Sequence, residues 1–262
     1  MQTSALAYFA FALGWSCAFW AASVAWSGGG DPTRSPLFLL GGAGPFLAAV
    51  VLTQLRESPA TRRDFWLRVV DPRRIRWPWW AVALLLHPAL VAFAFATEVA
   101  LGGSLPPLQV QPDSVPAVLG LLFFVFWFGP LPEEIGWRGF SLDRLQAGRT
   151  ALRASLILGA IWALWHLPLF WIPGTFQAGL GLGSPRSWIF LGSMLPLSVL
   201  MTWIYDNTTR STLSAVLVHF SGNLCGALLP KTDRVAGLEL AFLSLAALLV
   251  TGVWGARSLT RR

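Results

Sequence analysis

The chain has 262 residues, of which 55% are hydrophobic and only 12% charged. That charged share is about half the roughly 25% usual in soluble domains, so the composition excludes a soluble globule and implies an integral membrane protein. The net charge of +7 would by itself fit nucleic acid. Most of the basic residues lie in a few short loops, however, where they mark topology.

A membrane helix needs roughly 20 mostly apolar residues. In chain order the sequence predicts an all-α polytopic protein of about eight such segments, near 5–26, 36–55, 79–101, 115–130, 151–172, 187–205, 211–229 and 238–256. Together they form one membrane domain over 1–262. The first has no basic flank before it. Ser23-Val24-Ala25 resembles a signal-peptidase site, but a run of this length reads as a membrane helix. Gly28-Gly29-Gly30 is a flexible connector with nothing resembling a phosphate loop around it.

Between the second and third segments, Phe65, Trp66, Val69 and Val70 group on one side of a short helix over Thr61–Val70. Arginines lie largely elsewhere on it, as expected for a helix at the membrane interface. His87, just before Pro88, reads as structural, and Glu98 as reaching the outer interface. The fourth segment is short and ends at Gly129-Pro130-Leu131-Pro132, which breaks one helix and can start the next. Asp143 and Arg144 read as a solvated helix face. Cys17 and Cys225 lie in apolar runs and read as buried residues, not as a disulfide or a metal pair. Only Arg34, Arg186, Lys231 and Arg234 fall in loops on one side of the predicted bundle; the other 15 of the 19 basic residues fall on the opposite side. The positive-inside rule therefore places both termini in the cytoplasm.

Three polar motifs interrupt the apolar runs. The first is Pro132-Glu133-Glu134-Ile135-Gly136-Trp137-Arg138. A charge at bilayer depth costs about 2.5–3.5 kcal/mol on insertion scales, so two carboxylates there need a partner or a task. Glu134 and Arg138 are i, i+4 neighbours and can pair, while Glu133 points about 100° away with a free carboxylate. The second motif is Trp162 to Pro168, with His166 in an apolar helix. The third is His219-Phe220-Ser221-Gly222-Asn223, whose His219 and Asn223 share one helix face. Two donors on one face suit an oxyanion; polar contact between helices is the alternative. Ser141, Ser155 and Ser198 have no histidine placed to activate them, and no Gly-x-Ser-x-Gly or His-Glu-x-x-His motif occurs.

Taken together, these motifs resemble those of the CAAX-protease and bacteriocin-processing (Abi) family of intramembrane proteases. That family shows Glu-Glu-x-x-x-Arg, an aromatic-x-x-x-His and His-x-x-x-Asn in this order. Here they are Glu133-Glu134…Arg138, Trp162…His166 and His219…Asn223, in a motif-bearing core of about 115–230. Trp162 replaces the usual phenylalanine, a departure expected to be silent because an aromatic is kept.

The resemblance implies peptide-bond hydrolysis in a membrane-embedded, cytoplasm-facing polar cavity. Glu133 would act as general base on a water with help from His166. His219 and Asn223 would stabilise the oxyanion, and Glu134 and Arg138 would hold the site in place. The substrate would be a peptide or protein, lipidated in the best-known relatives, met among membrane lipids and without nucleic acid. The cofactor is left unknown and a metal-free site is favoured. Were zinc to take part, Glu133, His166 and His219 would supply it with a His₂Glu set and an open position. The arginine-heavy composition points to a bacterial plasma membrane, where prenylated substrates are not expected. Two other readings are a non-catalytic scaffold or immunity protein of the same family and an ion- or proton-coupled transporter, which would more naturally show an internal repeat.

Overall fold

The computed structural model describes residues 2–261, and every regular element among them is helical. The first helix, α1, is Gln2–Trp26. The second segment is broken into α2, Pro36–Gly42, and α3, Gly44–Arg56, bent by 58°. Ala43-Gly44-Pro45 makes the break. Proline cannot donate to the preceding turn, and a Cβ on Gly44 would lie 2.3 Å from Ser16 Oγ, so only glycine lets α3 approach α1 here.

Helix α4, Pro59–Val70, is the amphipathic helix between spans; its Phe65 and Val69 are buried, whereas Val70 faces outward. The next elements are α5, Trp77–Ala100, and α6, Val115–Trp127. After a break at Phe128 and Gly129 comes α7, Pro130–Gly136, which runs through a π-helical turn, Trp137–Leu142, into α8, Asp143–Gln146. The remainder is α9, Ala151–His166, a short α10, Phe176–Leu180, α11, Pro185–Asn207, α12, Thr212–Leu228, and α13, Asp233–Trp254. Ser114, Thr150, Ser184, Ser211 and Thr232 cap α6, α9, α11, α12 and α13, each accepting from a backbone N–H in the first turn.

Six helical stretches are long and apolar enough to cross a membrane, and the bent α2–α3 pair makes up to seven. The remaining expected segment, α12, is 17 residues long and falls short of a full span. The stretch from Val115 to Gln146 counts as 32 residues. At about 1.5 Å per residue it would run roughly 48 Å, well beyond a core of roughly 30 Å. Its last turns therefore belong to the interface.

Alternating spans put both termini, α4, α8 and the 208–211 turn at one end of the bundle. The 101–114 loop, α10 and the 229–232 turn lie at the other. The first end carries the arginines and is tied by ion pairs. Arg68 bonds Asp64 at 2.5 Å and also Asp143, Arg74 bonds Asp64 at 2.5 Å, and Arg144 bonds Glu57. Asp143 and Arg144 are thus ligands for α4 and for the end of α3, not a solvated face. Glu98 does not reach free into the interface either: Arg234 grips both its oxygens at 2.5 and 2.7 Å. Cys17 is exposed and Cys225 half-buried, so neither is the fully buried residue expected.

Candidate active site

The site is built at the α6–α7 break. Gly129 ends the apolar run, its carbonyl accepts from the Glu133 N–H at 3.1 Å, and Pro130 starts the new helix. This puts Glu133 in a first turn, where the positive end of the helix favours an acid. Glu133 and Glu134 are both buried, but they face different neighbours.

Glu134 is held on two sides. Arg138 Nη1 donates to its two oxygens at 3.0 and 2.9 Å, and His219 Nδ1 donates to Oε1 at 2.9 Å. Arg138 Nη2 donates to Ser198 Oγ at 3.1 Å, and Ser198 Oγ donates in turn to the Ser155 carbonyl at 2.9 Å. The two serines that sequence reading set aside therefore anchor the arginine.

Glu133 has one occupied oxygen. Trp162 Nε1 donates to Oε2 at 2.7 Å. The tryptophan that stands where phenylalanine is usual thus supplies a hydrogen bond that phenylalanine, with no N–H to give, could not. Its ring also lies 5.1 Å from the Arg138 guanidinium and 5.1 Å from the His219 ring. The other oxygen, Oε1, faces Gly129 together with Asn223: a Cβ at position 129 would lie 3.9 Å from Glu133 Oε1 and 3.4 Å from Asn223 Nδ2.

Hydrogen bonding sets the histidine tautomers. His166 Nδ1 lies 2.9 Å from the Trp162 carbonyl, which can only accept, so Nδ1 carries the proton and Nε2 keeps a lone pair. His219 Nδ1 is likewise committed to Glu134. Its Nε2 can donate only when the ring is doubly protonated.

Glu133, His166, His219 and Asn223 all line a single cavity of about 920 Å³, with Trp162 and Trp165 in its wall. Glu134 and Arg138 lie behind that wall, fully buried. Among the described residues no three histidine, cysteine or acidic side chains converge closely enough to hold a metal ion.

The cavity also holds a polar group that the sequence reading passed over. His87 Nε2 bonds Glu239 Oε1 at 2.9 Å, and Lys231 bonds Glu239 Oε2 at 2.5 Å. His87 is structural in that it packs on Gly222, where a Cβ would meet Nδ1 at 2.2 Å. That contact sits one residue before Asn223. The available signal was Glu239 itself, an acid within an apolar run.

Exposed lining residues include Leu39, Gln109 and Phe176 at the end of the bundle away from both termini, and Phe124, Trp127 and Phe128 within the 115–146 span. Toward the arginine-bearing end, Tyr8, Trp137, Arg138, Phe140 and Leu142 are buried with no more than 1% exposure each. Both termini lie at the end of the bundle opposite to Leu39, Gln109 and Phe176.

Residues 115–225 match the family described as type II CAAX prenyl endopeptidase Rce1-like. The chain is also 30% identical over 220 residues to CAAX prenyl protease 2 of Methanococcus maripaludis, an alignment covering 80% of this chain and 79% of that protein.

Proposed function

The chain belongs to the Rce1-like family of type II CAAX prenyl endopeptidases, and on that premise we propose that it hydrolyses a peptide bond inside the membrane using Glu133, His166, His219 and Asn223. The observation that carries the reading is the convergence of these four side chains on one cavity. The substrate is a membrane-associated peptide or protein, in line with the relative's name.

In the proposed reaction a water lies between Glu133 Oε1 and His166 Nε2. Glu133 takes its proton as the oxygen attacks the scissile carbonyl, while the His166 lone pair accepts the second O–H and aims the attack. Negative charge moves to the carbonyl oxygen. Asn223 Nδ2 donates to it, and so does His219 Nε2 when the ring is an imidazolium balanced by Glu134. The C–N bond then breaks, and the proton held by Glu133 passes to the departing amine. Trp162 keeps Oε2 occupied, so that Oε1 is the oxygen left to act.

No step passes through a metal. Activity on a lipidated CAAX-type peptide should survive exhaustive chelation, and loss restored by added zinc would reject the metal-free mechanism. Glu133→Gln keeps the shape of the side chain and removes the base; turnover should fall by about 10²–10⁴-fold. Undiminished turnover in that variant would reject Glu133 as the base, whereas no turnover by the unaltered chain would favour a non-catalytic family member.

A further inference from the structure

Three polar side chains in the cavity wall take no part in the proposed reaction: His87 on α5, Glu239 on α13 and Lys231 in the turn between α12 and α13. They form one chain. His87 Nε2 donates to Glu239 Oε1 at 2.9 Å, and Lys231 Nζ donates to Glu239 Oε2 at 2.5 Å. His87 and Glu239 are buried. A buried ion pair adds little net stability over apolar packing of the same volume, because desolvation offsets most of the attraction. The two charges are committed to each other, so the group has no free charge to offer a ligand. What it does fix is the place of the His87 ring.

That ring lies against α12. Its Nε2 carries the proton given to Glu239, which leaves Nδ1 a lone pair. Among the described residues this buried Nδ1 has no hydrogen-bond partner. Only a residue without a side chain fits beside it, and Gly222 is that residue: a Cβ there would lie 2.2 Å from Nδ1 and 2.4 Å from Cε1. Gly222 follows His219 by three residues and precedes Asn223 by one. The imidazole from α5 therefore presses on the face of α12 that carries both site residues.

Of the four site residues, Asn223 is the one without a clamp of its own. Glu133 is held by Trp162, His166 by the Trp162 carbonyl and His219 by Glu134. The Asn223 carboxamide is exposed within the cavity and, among the described residues, is hydrogen-bonded to none. Gly222 is the last buried residue of α12. The direction of Asn223 Nδ2 is thus set by where the backbone lies at 222 and 223, and His87 is what bears on it there. On the peptidase reading above, we propose that His87, fixed by Glu239 and Lys231, is a positioning residue that places the Asn223 donor at the oxyanion.

The test is a mutant cycle read on a fluorogenic, lipidated CAAX-type peptide in detergent. His87→Ala leaves the Glu239–Lys231 pair in place, and Cys225 and Leu229 still pack against α5 and α13, so the fold should be kept. Its kcat should fall about 10–100-fold, the cost of a misplaced group, with KM nearly unchanged. Asn223→Ala removes the donor itself and should cost about 10²–10³-fold. In the Asn223→Ala background, His87→Ala should cost no more than about a further two-fold, because residues that act through one another are not additive. An unchanged kcat in His87→Ala, an effect on KM alone, or losses that multiply in the double variant overturn the proposal.

Should His87→Ala fail to accumulate, Gly222→Ala reads the same contact from the α12 side. Its Cβ must displace the pinned ring or the helix, and kcat should fall again. Adding His87→Ala opens the space that this Cβ needs, so the double variant should turn over faster than Gly222→Ala alone; a slower double variant overturns the proposal. Amide exchange gives a readout without turnover. In His87→Ala the amides of residues 222–226 should exchange on the order of ten-fold faster while those of α11 stay protected. Unchanged exchange at 222–226 shows that His87 does not hold α12 and overturns the proposal. Faster exchange there, in a chain whose unaltered form cleaves no peptide, rejects the peptidase reading and leaves His87 as the residue that holds this part of α12.

Discussion

Glu133 and Glu134 are adjacent in sequence, yet their partners separate their tasks. Glu134 is enclosed by Arg138 and His219, while Glu133 has a single clamp, the indole of Trp162 at 2.7 Å. Trp162→Phe keeps an aromatic wall but frees Oε2, so the carboxylate can rotate away from Gly129 and Asn223. Its kcat should fall about 10–100-fold, because positioning errors of about 1 Å cost on the order of 10², with KM nearly unchanged and the melting temperature little moved. An unchanged kcat would show that the indole bond is incidental. Arg138→Met predicts the opposite signature. It leaves the fully buried Glu134 without its cation, and breaking such a pair costs about 3–5 kcal/mol. Thermal unfolding in detergent should show that loss directly. These contacts also mark the limit of what sequence reveals at this scale. The motif spacing made Glu133, His166, His219 and Asn223 legible as candidates. The bond from Trp162 joins residues 29 apart and that from His87 to Glu239 joins residues 152 apart, so neither follows from any local pattern.

At the scale of helices, the apolar runs were legible because lipid requires length and hydrophobicity of any spanning segment. The break before Glu133 was legible as well, since Gly129-Pro130 cannot continue a helix. What did not show was how closely neighbours approach. The kink between α2 and α3 depends on Gly44 meeting Ser16, a tertiary contact. The same holds for α7 against α1 and α3, where a Cβ on Gly136 would lie 2.4 Å from Tyr8 Oη and 2.6 Å from the Pro45 carbonyl oxygen. The tyrosine tip can move, but the backbone oxygen cannot without shifting α3. Gly136→Ala should therefore destabilise by about 1–3 kcal/mol, as overpacking does, and should lower activity by displacing the turn that carries Glu133. Gly120 in α6 has nothing within 4 Å of such a Cβ. Gly120→Ala should be neutral or stabilising by up to about 1 kcal/mol, the helix-propensity difference. Parallel melting curves of the two variants separate a packing effect from a general intolerance of alanine.

Across the whole molecule, the two ends of the bundle are held by different means. Apolar packing and a few isolated pairs hold the end near the 101–114 loop, whereas the arginine-bearing end is laced by ion pairs that draw α4 onto the bundle. Arg68 joins Asp64 to Asp143, and Tyr205 Oη donates to Asp143 at 3.2 Å. How the two ends are tied could not be read from sequence, because it depends on side chains from several helices meeting one another. The residues that form the clamp were visible only as an arginine-rich loop. Partial burial pushes the Asp64 carboxyl upward, but Arg68 and Arg74 outweigh it and hold the group below its ordinary value. A carboxylate depressed on folding contributes stability above its unfolded pKa, about 3.9 for aspartate, and loses it as the pH falls through the lower folded value. From pH 7 down to about 4, the attachment of α4 should therefore hold steady. Below that, its amides should exchange faster while those of α11 remain protected, since Asp64 lies at the edge and α11 in the packed centre. Asp64→Asn should show the faster α4 exchange already at pH 7 and lose the acid step. Simultaneous loss of protection in α4 and α11 would mean that the clamp is part of the global fold and not a separately released element.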